Sequence, residues 1–232
     1  MKSNHISRYF DQVWWILTRP TSYFRQLPLT GGVTVPISFA LITHWLGSSF
    51  GFLWSLALGK LIGSQLSAFF NDAVDFAGHL AEVDHPGRHA QFVETAERVR
   101  DWFLGAGSIL LDPALTFVKI LVVSFFVFLG ARIFVTPGKD QAPSEITFES
   151  ALRVVCYGLT PSILAAFPLI GGFFSSLLVF YITLIAAKEC YRISSARAMW
   201  VAFFPQVLIF AVLLMLFLAV GLFFIKAMVS FF

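Results

Sequence analysis

One pentapeptide has the form of a nucleophile elbow: Gly47-Ser48-Ser49-Phe50-Gly51 matches G-x-S-x-G. In serine hydrolases that motif turns a strand sharply into a helix and needs Asp and His partners elsewhere. Here it lies inside an apolar run from Val33 to Leu58, and without the strand the match is read as coincidence. His44 sits one turn before Ser48, close enough along a helix for a hydrogen bond that would satisfy it. An ionisable residue within an apolar helix is also a natural functional candidate.

Other reactive groups are sparse. His79, Glu82, Asp84, His85 and His89 cluster loosely, but Pro86-Gly87 interrupts them, and turn chemistry accounts for Asp84, Pro86 and Gly87 without a metal. Cys156 and Cys190 are the only cysteines, too few for a zinc ribbon or a disulfide framework. No Walker, Rossmann or H-E-x-x-H pattern occurs, so no catalytic residue, metal or cofactor is expected. Tyr157, Thr160, Pro161 and Gln206 join His44 and Ser48 as candidates for an intramembrane polar site.

The elements that carry these residues follow from composition. Of 232 residues, 58% are hydrophobic and 12% charged, where soluble domains carry roughly a quarter charged residues. Lipid must cover what so short a chain cannot bury. Although the pI is near 9.0, the bases stand at the ends of apolar runs and form no nucleic-acid-binding strip. A spanning helix takes about 20 apolar residues. Val33–Leu58, Ala114–Val135, Ala151–Phe167, Leu169–Ala187 and Ala198–Gly221 meet that description, which predicts an all-α, five-helix transmembrane bundle. Asp112-Pro113 reads as a helix start, with Lys119 near one end, free to snorkel to the interface. Pro168-Leu169-Ile170-Gly171-Gly172 reads as a tight turn.

Two polar stretches complete the plan. Residues 1–32 mix aromatics with arginines, as an interfacial helix would, and residues 33–232 form the membrane domain. Residues 60–111 show two runs of helical periodicity around Asp84-His85-Pro86-Gly87, predicting an external amphipathic hairpin between the first two spans. Ten of the sixteen Lys and Arg fall in 1–32, 131–153 and 188–197, so the N-terminus is expected in the cytoplasm.

Thr43, Gly47, Gly51, Ser55, Gly59 and Gly63 recur at every fourth position. Small residues at that spacing let a second helix approach backbone to backbone, from the same chain or from another copy.

Arg19-Pro20-Thr21-Ser22-Tyr23-Phe24, then Cys156-Tyr157-Gly158-Leu159-Thr160-Pro161 with Pro168-Leu169-Ile170-Gly171-Gly172, then Ala187-Lys188-Glu189-Cys190-Tyr191-Arg192, follow in that order. Together they resemble the Yip domain of the Ypt/Rab-GTPase-interacting proteins and their bacterial relatives, over most of the chain outside 60–111. The resemblance implies five helices, a cytoplasmic N-terminus and no catalytic residues. Eukaryotic members are associated with vesicle traffic and small GTPases. This chain lacks their long acidic N-terminal region, and a GTPase partner is not expected. The expectation is a non-enzymatic protein of the bacterial inner membrane that organises the bilayer or binds other membrane proteins, further copies included. The alternative is a transporter or scramblase moving lipid or a small solute along a polar seam.

Overall fold

The computed structural model describes residues 5–54, 56–57, 95, 106–135, 146–168 and 170–230. The expected external hairpin lies almost wholly outside them, as do Ser55, Gly59 and Gly63 of the small-residue ladder and the His79–His89 cluster. Among the described residues the regular elements are all helical.

Helix α1 (His5–Thr18) packs by one face: Val13 and Ile16 are buried while Ile6, Phe10 and Trp14 are 71%, 53% and 69% exposed. Helix α2 (Pro20–Gln26) starts on Pro20, whose missing N–H and fixed φ suit the first helical position. It buries Tyr23 and Phe24. Gln12 donates to the Tyr23 hydroxyl at 2.7 Å. Burial and the neighbouring Tyr157 raise the Tyr23 pKa above its usual value, so that hydroxyl stays neutral.

Four helices are long and apolar enough to cross a membrane: Thr34–Trp54 (α3), Ile109–Phe134 within α4 (Ala106–Phe134), Gly171–Tyr191 (α6), and Ser195–Leu222 within α7 (Ser195–Ser230). Two expectations change here. Helix α4 begins at Ala106, so Pro113 is inside it, and exposed Lys119 is near the middle of the span instead of near one end. Asp112-Pro113 carries a start signature, but the helix continues upstream because Pro removes only one hydrogen bond, which a neighbour can replace.

The expected span Ala151–Phe167 is also divided, into α5 (Phe148–Gly158) and a 3-10 helix (Thr160–Ala166). The Thr147 hydroxyl caps α5 by accepting from the Ser150 N–H at 3.2 Å. At the other end Pro161 disfavours α geometry at Thr160 and supplies no N–H. The Thr160 hydroxyl instead donates to the Tyr157 carbonyl at 2.6 Å. The break leaves neither piece long enough to span by itself.

The chain forms two compact units, and α3, α4 and α6 are divided between them. Unit 1 comprises Met1–Ala40, Lys119–Thr160 and Leu178–Phe232; unit 2 comprises Leu41–Val118 and Pro161–Leu177. Within unit 1, Phe24, Ile16, Leu152, Ile182, Tyr191 and Val201 are fully buried, and Phe134 lies 6.0 Å from Trp200 and 6.1 Å from Phe204 by ring centroids. The loop before α3 is fastened to α5 by Arg153, itself 5% exposed. Its guanidinium donates to the carbonyls of Pro28 at 3.0 Å and Gly32 at 2.7 Å and pairs with Glu149 at 3.2 Å. Glu149 in turn accepts from the Gly32 N–H at 2.8 Å. Gly31 and Gly32 have φ of 120° and 95°, values at which a Cβ is strained.

Candidate functional site

Unit 2 is assembled around α3. Gly47 and Gly51 face the 3-10 segment of the same chain. A Cβ on Gly47 would collide with the Ser162 carbonyl oxygen and stand 3.2 Å from the Ile163 Cα. One on Gly51 would stand 3.2 Å from the Ala165 oxygen. What approaches these two glycines is therefore irregular backbone of the chain itself. Thr43, one turn earlier, is buried.

Two indoles on the same helix donate to backbone carbonyls, one on the 3-10 segment and one on α4. Trp54 donates to the Ala166 carbonyl at 2.8 Å, at the end of the 3-10 helix. Trp45 donates to the Ile109 carbonyl at 3.2 Å. Ile109 stands four residues before Pro113, which cannot supply the usual helical donor. Within apolar surroundings each such donor prevents the cost of a bare carbonyl.

His44 meets Asp112, with Nε2 3.5 Å from Oδ1 and both side chains about four-fifths covered. Sequence reasoning looked for a local partner one turn away and treated Asp112 as a helix start, so it missed this pair. The available signal was that Asp112 stands at the edge of a long apolar run, as Glu149 and Glu189 also do. Ser48 is half-buried on α3. Ser162, Ser49 and the second Asp112 oxygen are buried polar atoms with no hydrogen-bond partner among the described residues.

The other expected polar residues go elsewhere. Tyr157 and Thr160 belong to unit 1, where the Tyr157 ring lies 5.2 Å from Phe39 and 5.6 Å from Tyr23. Pro161 opens the 3-10 stretch of unit 2. Gln206 is exposed on α7, its amide nitrogen turned to the Ala202 and Phe203 carbonyls of its own helix beside Pro205. Among the described residues no group of three or more His, Cys, Asp or Glu could hold a metal ion. The unit offers a polar pair, unsatisfied hydroxyls and tight backbone packing.

The family model for the Yip1 domain matches residues 14–218. Neither the curated proteins nor the solved structures give a match.

Proposed function

The chain belongs to the Yip1 domain family and is a multi-pass membrane protein; from that premise we propose that it acts without catalysis, organising the bilayer or docking other membrane proteins. It resides in the inner membrane with its N-terminus in the cytoplasm. The observation that carries this reading is α1. One side of that helix is packed into unit 1 through Val13 and Ile16, and the adjoining side presents Ile6, Phe10 and Trp14. An amphipathic helix of this kind lies in the headgroup layer, and a rigid attachment transmits its insertion to the body of the protein.

The test is reconstitution into vesicles at increasing protein density. Wild type is expected to change vesicle size or shape, and a variant with Ile6, Phe10 and Trp14 all replaced by Ser to lose that effect. Unchanged vesicles with wild type would refute the organising role. The second reading, passage of lipid or solute along a polar seam, draws support from the His44–Asp112 pair, because paired ionisable groups at membrane depth mark transport pathways.

A further inference from the structure

The other place where charge gathers is the end of unit 1 formed by α2 and the α6–α7 junction. A groove of about 430 Å³ opens between α2 and the α6–α7 junction, within the size range of ligand sites, roughly 300–1,000 Å³. Tyr181, Leu184, Ile185 and Lys188 line it. These residues are spaced i, i+3, i+4 and i+7, so they form one face of α6. Seven residues of helix cover about 10 Å, and over that rise the lining changes from apolar rings and methyls to an ammonium. The polar end is completed by Thr21, Arg25 and Ser195. Ser195 is the first residue of α7, so the positive end of a long helix points there. Glu189 lies in the wall with its charge answered by Arg25 at 3.2 Å.

A smaller cavity of about 280 Å³ lies against the same Arg25–Glu189 pair and includes Arg192. Arg192 has φ of 51°, and the Ile193 N–H closes the turn onto the Lys188 carbonyl at 3.1 Å. Helix endings of this shape ordinarily take glycine. An arginine held in a left-handed conformation is backbone strain retained at a cation that lines the smaller, adjoining cavity.

We propose that this groove binds one phospholipid, its anionic phosphodiester held by Lys188, Arg25 and the α7 N-terminus, with Arg192 of the adjoining cavity adding positive charge beside Arg25, and its acyl chain along Tyr181, Leu184 and Ile185. The polarity of the groove changes where the apolar span of α6 ends, which is where a lipid changes from chain to headgroup. The site stands independently of the organising role.

The test is native mass spectrometry of the full chain released from vesicles of phosphatidylglycerol and phosphatidylcholine. Wild type is expected to retain one phosphatidylglycerol. Lys188→Gln and Arg192→Gly should each lower the retained fraction several-fold, and Leu184→Trp should block the chain end. Arg192→Gly relieves strain, so its melting temperature should hold or rise while lipid is lost, which separates binding from folding. Equal retention by wild type, Lys188→Gln and Arg192→Gly would overturn the site. Displacement of the lipid by millimolar inorganic phosphate would overturn the lipid assignment in favour of free phosphate.

Discussion

Trp45 on α3 donates its indole N–H to the carbonyl of Ile109 on α4 at 3.2 Å, and that carbonyl is the one Pro113 leaves without a helical donor. A sequence feature that reads as a break is thereby turned into a tether between two helices. Trp45→Phe keeps the ring and removes the donor, and should cost about 0.5–1.5 kcal/mol. Pro113→Ala restores an N–H four residues from Ile109. In that background Trp45→Phe should cost much less. Unfolding measured for both singles and the double variant checks this; equal costs in the two backgrounds would mean that the indole and the proline are not coupled.

Gly47 and Gly51 differ in how much room they leave. The Gly47 Cβ position is occupied by a backbone oxygen, which no rotamer change can clear, while that of Gly51 is merely tight. Gly47→Leu should destabilise most, Gly51→Leu less, within the range of about 1–3 kcal/mol typical of overpacking. Phe52→Leu should do little. Thermal unfolding in detergent reads the order. Wild-type behaviour from both glycine variants would remove the close approach from the account.

Arg153 uses Nη1 on Pro28, Nη2 on both Gly32 and Glu149, and Nε on Glu149 as well, a fork that lysine cannot reproduce. Arg153→Lys should lower stability by about 1–3 kcal/mol despite conserving charge, because buried acceptors lose donors. Proteolysis within 27–33 should accelerate in parallel. A stable variant with an intact loop would show that the charge alone suffices.

Topology is a separate expectation from the charge pattern. Tags at residue 2 and near residue 142 should report cytoplasm, and one near Gly87 the opposite side. A cytoplasmic report from Gly87 would overturn the orientation.

The membrane class, the apolar helices and the family were legible because they rest on composition, on long runs and on ordered motifs such as Arg19-Pro20 and Thr160-Pro161. Position within the helices was less so. Asp112-Pro113 carries the same local signature whether a helix begins there or passes through. The partner of His44 lies 68 positions away, beyond any local reading. The division at Thr160-Pro161 was visible as a proline but not as a 3-10 helix, since a short apolar stretch has the same composition in either geometry. The ladder spacing identified Gly47 and Gly51 without revealing that irregular backbone, not another regular helix, comes against them.

Lipid movement is the property that most directly separates an organiser from a transporter. The purified chain, reconstituted into vesicles carrying a fluorescent lipid in both leaflets, can be assayed with a reductant that bleaches only the outer one. The account predicts bleaching of about half the label, as in protein-free vesicles, at every protein density, together with no solute leak. Bleaching that approaches completion as protein is added, and that is lost in Asp112→Ala, would contradict it and assign the His44–Asp112 pair to a transport path.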